Sequence, residues 1–140
     1  SRPAKQRPEH VLDDESLQCP GDDHDEQMPQ PAEHSQRQQR KVITLHGETD
    51  CLMKAGLLGR WRETTLYTTL SPCMMCAGTI VQFGIPRVVI ADTENFGGNE
   101  EFLRSRGVTV DIVRDETMIA FFRDWKARNP EIWNGDIGVD

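Results

Sequence analysis

Long apolar runs are missing from this 140-residue chain. None approaches the roughly 18 to 20 residues that a membrane-crossing helix needs, and the amino end lacks the basic-then-apolar pattern of a secretory signal. An excess of basic residues is missing too: 16 Lys and Arg stand against 23 Asp and Glu, a formal net charge of −7. That balance argues against an affinity built on neutralising many phosphates, and so against nucleic acid as the partner. Aromatic and aliphatic residues are scarce before Val42 and ordinary after it, which leaves about 100 residues able to build a core. Cysteine is sparse. Two of the four stand together as Cys73-x-x-Cys76, which in a reducing compartment reads as metal or redox chemistry and not as a disulfide framework. These absences together predict a soluble, cytoplasmic protein with one core, no membrane partner, and a small uncharged molecule as substrate.

Residues 1–41 are rich in Pro, Gln, Asp and Arg and carry neither helical nor strand periodicity, so they are expected to form a polar, disordered segment. The run Asp22-Asp23-His24-Asp25-Glu26 within it is read as a solvated charge cluster, and Cys19 receives no assignment. From Glu48 to Leu58 the apolar positions Cys51, Leu52, Ala55, Leu57 and Leu58 fall near helical spacing, with Cys51 as a packing residue and Gly59 as a stop. Thr64–Leu70, β-branched and aromatic, predicts a strand. Ser71 as N-cap and Pro72 at the first helical position predict a helix from Pro72 to about Phe83, closed by Gly84. Arg87–Ala91 is a continuous apolar strand of the kind buried on both faces of a parallel sheet. A short helix over Glu100–Arg106, a strand over Val108–Val113, and a helix capped by Asp115 and running to about Arg128 complete the pattern. Strand and helix alternate, which implies right-handed crossovers and a parallel sheet with helices packed on it, an α/β domain over residues 42–140.

The chemistry gathers in two pieces. Cys73 and Cys76, three apart at a helix amino end, share one face, and the free backbone N–H groups there favour thiolate. His46-Gly47-Glu48 lies 27 positions upstream of Cys73. Two thiolates and one neutral imidazole supply three ligands for Zn²⁺ and leave a fourth position open, as in catalytic sites; a structural site would take a fourth side chain. The formal charge of such a set with zinc is zero, so a bound water loses its proton readily, and Glu48, not needed as a ligand, is placed to accept it. Cys-x-x-Cys alone also reads as a redox motif, and His-x-Glu alone occurs often by chance. Their conjunction as His-x-Glu with Pro-Cys-x-x-Cys is the narrower pattern of zinc deaminases acting on cytosine or adenine.

On these residues the chain resembles the cytidine deaminase-like superfamily from about Leu45 to its carboxyl end. Thr65–Cys73, Phe83-Gly84-Ile85-Pro86-Arg87 and Trp133-x-x-Asp136-Ile137-Gly138 are similar to the zinc cytosine deaminases that act on the free base. The resemblance implies a three-layer α/β/α fold, a homodimer, and conversion of cytosine to uracil and ammonia in pyrimidine salvage. It also implies zinc on His46, Cys73 and Cys76, and proton transfer by Glu48. Ser71, through its backbone carbonyl, and Asp136 would hold the exocyclic amine, while Phe96, Trp133 and Ile137 would wall the pocket. Taken alone, Trp133 after a helix reads as core or lid packing. The family's first helix, its two antiparallel strands and the asparagine after them have no counterpart ahead of His46: no asparagine precedes Asn95. The texture of residues 1–41 is also what a shifted reading frame would yield. Two other functions fit parts of the pattern: a tRNA adenosine or guanine-type deaminase, and a non-catalytic zinc-binding interaction protein.

Overall fold

In the computed structural model, which describes residues 42–57 and 59–139, the order is α1 (Gly47–Ala55), a 3-10 turn (Trp61–Glu63), β1 (Thr65–Leu70), α2 (Met74–Phe83), β2 (Arg87–Asp92), α3 (Glu100–Ser105), β3 (Thr109–Ile112), α4 (Glu116–Arg128) and α5 (Pro130–Ile137). The readings made for residues 1–41, for Cys19 and for His24 lie outside the described residues. Among the described residues the sheet has the order β1-β2-β3, and both pairs are parallel as the alternating pattern predicts. Leu66 pairs with Val88 and Val88 with Val110. These side chains and Ile90 meet Leu52 of α1, Ala77 and Ile80 of α2, and Leu103 of α3 in one core. Ile80, Ile85, Ile90 and Leu103 are at most 1% exposed, and each such side chain contributes about 1.5–3 kcal/mol by leaving water. α4 packs against β2, and α5 packs against α4.

Three local readings are corrected. The first helix ends at Ala55 and not Leu58, because Gly56 leaves the helix at φ 69°, ψ −151°; Leu57, at 98% exposure, has no core to face. The second helix begins at Met74 and not Pro72: Ser71 and Pro72 are buried in the turn that leaves β1, and Cys73, at φ −67°, ψ 174°, is the N-cap. Its closure is as predicted, with Gly84 left-handed at φ 69° and its N–H returned to the last turn. Finally, the segment after Asn129-Pro130 is itself helical. Proline stops α4 and opens α5, since its fixed φ and missing N–H suit a first helical position.

The turn after β2 is held by Asp92, which is 0% exposed. Its carboxylate accepts from the Glu94 N–H at 2.8 Å, the Asn95 N–H at 3.0 Å and Asn95 Nδ2 at 2.6 Å. Asn95 Nδ2 also donates to the Ile119 carbonyl at 2.9 Å, tying the turn to α4. Asp115 caps α4 as expected, accepting from the Met118 N–H at 2.9 Å.

Candidate active site

Parallel strands present their carboxyl ends to one side, and crevices there are the usual place for ligands. The ends of β1 and β2 are joined by a bond from the Ser71 N–H to the Asp92 carbonyl at 3.2 Å. Beyond that bond the chain turns through Ser71 and Pro72 into Cys73. As the N-cap, Cys73 has its carbonyl in the first helical bond, from the Ala77 N–H at 2.8 Å. Cys76 comes at the third helical position and is 1% exposed.

His46 has the same station on α1. It is the N-cap, its carbonyl accepts from the Asp50 N–H at 2.8 Å, and its own N–H donates to Thr49 Oγ1 at 2.8 Å. Two helix amino ends therefore converge, and each contributes the partial positive charge of unpaired N–H groups. His46 Nδ1 lies 3.3 Å from Cys73 Sγ and 3.6 Å from Cys76 Sγ, and the three donor atoms all lie within 4.8 Å of one another. Zinc at 2.3 Å from sulfur and 2.0–2.1 Å from nitrogen sets an N···S edge of about 3.6 Å in a tetrahedron. The donor set and its spacing fit that ion.

The electrostatics divide the two thiols. Cys73 is held well below the usual thiol range, first by its hydrogen bond with the Cys76 thiol and then by the imidazole of His46 and the Cys76 backbone N–H, against a contrary effect of burial. The same bond, with burial, pushes Cys76 up. Glu48, half-buried on the first turn of α1, has its carboxyl raised by loss of water, partly offset by its own backbone N–H and by His46.

A cavity of about 860 Å³ opens over these groups and lies within the range of small-molecule sites. His46, Glu48, Ser71, Cys73, Phe96, Trp133, Asp136 and Ile137 all border it; Cys76 sits buried behind. Residues up to 91 positions apart in sequence, from His46 to Ile137, are thus brought to one place. Phe96 and Trp133 meet edge-on at 6.0 Å, and Phe122 packs on Trp133 at 6.4 Å. Ser71 Oγ is buried with no hydrogen-bond partner among the described residues.

Three residues escaped sequence reasoning. Asn99 borders the cavity, and its Nδ2 donates to the Pro72 carbonyl at 2.9 Å, pinning the turn that leads into Cys73. Asp92 builds the turn that carries Phe96. Lys126 places its Nζ 3.2 Å from the Asn95 carbonyl. The Asp-x-x-Asn spacing at 92–95 was a turn signal for the second of these. Asn99 and Lys126 have none, because their partners are 27 and 31 positions away.

The family model for the cytidine and deoxycytidylate deaminase zinc-binding region matches residues 24–92. The chain is 42% identical over 107 residues to a cytosine deaminase of Candida albicans, a match that covers 75% of this chain and 71% of that protein. A tRNA-specific adenosine deaminase of Streptococcus pyogenes is 36% identical over 69 residues, covering 46% of this chain and 43% of that one. The deoxycytidylate deaminase of phage T4 is 38% identical over 69 residues, 47% of this chain and 36% of its own length.

Proposed function

This chain belongs to the cytidine and deoxycytidylate deaminase family, zinc-dependent enzymes, and from that premise we propose that it hydrolyses cytosine to uracil and ammonia. The observation that carries the proposal is the His46, Cys73 and Cys76 donor set, with His46, Cys73 and Glu48 bordering one aromatic-lined cavity and Cys76 buried beside them. The similarity to a cytosine deaminase extends past the zinc-binding region, and it supports the free base over a tRNA or nucleotide substrate.

Zinc bound by His46, Cys73 and Cys76 supplies the Lewis acidity that makes water reactive near neutral pH. Glu48 takes one proton of the attacking water and passes it to the pyrimidine ring nitrogen, then takes the remaining proton of the hydroxyl now on the ring carbon and gives it to the departing amine. One water is consumed and one ammonia leaves. Burial suits Glu48 to this work, because loss of water raises its carboxyl and makes it a better proton acceptor than a solvated carboxylate. The Ser71 carbonyl and Asp136 orient the exocyclic amine. Phe96, Trp133 and Ile137 cover the ring and keep bulk water from the proton transfers. In this reading the protein acts as a homodimer in the cytoplasm, within pyrimidine salvage, and residues 42–140 hold all the groups named here.

One experiment tests the proposal. Zinc is measured by elemental analysis, and ammonia release is followed with cytosine, guanine and tRNA adenosine. Zinc at one per chain with cytosine turnover supports it; turnover of guanine or tRNA adenosine in place of cytosine moves the substrate. Zinc without turnover of any of them makes the chain a zinc-binding interaction protein.

A further inference from the structure

Lys126 stands where α4, α5 and the turn after β2 meet. Its Nζ donates to the Asn95 carbonyl at 3.2 Å and lies 5.1 Å from the centroid of the Trp133 ring. Lys126, Asn95 and Trp133 are all half-buried, so the ammonium has given up part of its water to sit there, and attraction to an aromatic face grows as water is lost. The carbonyl it meets is a fixed one. The Asn95 side chain is tied to Asp92 and to the Ile119 carbonyl, and its N–H to Asp92. The next residue is Phe96, whose ring packs edge-on against Trp133. One charge therefore joins the backbone that carries the first ring to the face of the second.

α5 needs such a tie. It has no buried residue, and it packs against α4 and reaches the cavity through Trp133, Asp136 and Ile137. Elements with so little buried surface open locally at low free energy. Lys126 itself does not border the cavity.

We propose that Lys126 is a positioning residue of this site: by gripping the Asn95 carbonyl and the Trp133 ring together, it latches α5 to the turn after β2 and fixes the aromatic pair over the substrate. The part of this that concerns substrate rests on the deaminase reading above. The latch does not.

The test uses the full, zinc-loaded chain and the variants K126M and K126R. Hydrogen exchange of residues 130–139 is compared with that of β1–β3, and KM and kcat are measured with cytosine. K126M keeps the apolar stem and loses the charge. Its α5 amides are expected to exchange about thirtyfold faster, the lower end for losing one cation–π contact plus one charge-assisted hydrogen bond, with strand amides within about twofold of the parent. KM is expected to rise about five- to tenfold with kcat changed by less than about twofold, as when binding and not the chemical step is weakened. K126R, whose guanidinium can both stack on indole and donate to a carbonyl, is expected to restore both readings to within about threefold. Unchanged α5 exchange in K126M overturns the proposal. So does acceleration of the strands to the same degree, which makes Lys126 a general support of the fold, and so does an unchanged KM in an active enzyme. If the parent chain releases no ammonia from cytosine, the deaminase reading falls, and the exchange comparison alone decides the latch.

Discussion

Asp92→Ala removes an acceptor on which three hydrogen bonds converge, at 2.8, 3.0 and 2.6 Å, from a side chain with no exposed surface. At roughly 1 kcal/mol net for each bond the direct loss is about 3 kcal/mol. The two backbone donors are only partly buried and recover some hydration, so incomplete solvation adds at most about 1 kcal/mol. The sum, about 3–4 kcal/mol, is a large share of the 5–15 kcal/mol typical of a whole domain, and lowers the melting temperature by roughly 12–30 °C. Asp92→Asn keeps the shape. Its amide oxygen can still accept from the backbone pair, but its NH₂ then faces the Asn95 donor, for a loss of about 1–2 kcal/mol. The assay is equilibrium urea unfolding at saturating zinc, monitored by tryptophan fluorescence, with an unchanged slope as the check on two-state behaviour. Because the turn leads directly into Phe96, the Asn variant is also expected to raise KM for cytosine while zinc content stays at one per chain. An Asp92→Ala protein within about 0.5 kcal/mol of the parent would refute the account of this turn, since ordinary surface substitutions produce effects of that size.

Glu48→Gln is expected to keep zinc by elemental analysis and to lower kcat by about 10²–10⁴, the usual worth of a positioned acid–base group; an active variant contradicts the proton-transfer role. Cys73→Ala is expected to lose zinc and turnover together and to unfold at lower urea, because an ion held by the proposed His46, Cys73 and Cys76 set would join α1 to α2 and would lose one of its two thiolates. Asn99→Ala leaves the Pro72 carbonyl without its donor and loosens the entry to Cys73. Competition with a chromogenic chelator is expected to show zinc affinity down about tenfold, the lower range for residues that orient ligands, and an unchanged affinity would remove Asn99 from that role.

Much of this arrangement was legible because it is local. Strand residues Thr65–Leu70 and Val88–Ile90 announced themselves by composition, and Gly84 with Pro86 marked one helix end. The donors His46, Cys73 and Cys76 could be paired in advance because zinc accepts few ligand types at few spacings. Ser71 and Pro72 are good helix openers in isolation, but the bond from the Ser71 N–H to Asp92 keeps that residue in the sheet layer and passes the N-cap to Cys73. α5 is hard to see in the sequence because Pro130 is a stop signal for α4 and equally a start signal for a second helix. Asn99 and Lys126 were invisible for a third reason: each acts on a backbone carbonyl far along the chain, and carbonyls carry no sequence signal.

The two convergent N-caps have a consequence for folding as well as for chemistry. His46 and Cys73 are 27 residues apart, so an ion held between them closes a loop whose free ends would otherwise gain entropy of order (3/2)RT ln n. A ligand that binds only the folded chain adds RT ln(1 + [L]/Kd) to its stability, about 4 kcal/mol at a thousandfold excess over Kd. That is comparable to the whole margin of a small domain. The folded amount of this protein in a cell would then track free zinc, so that metal supply governs how many sites exist before it governs how fast any of them turns over.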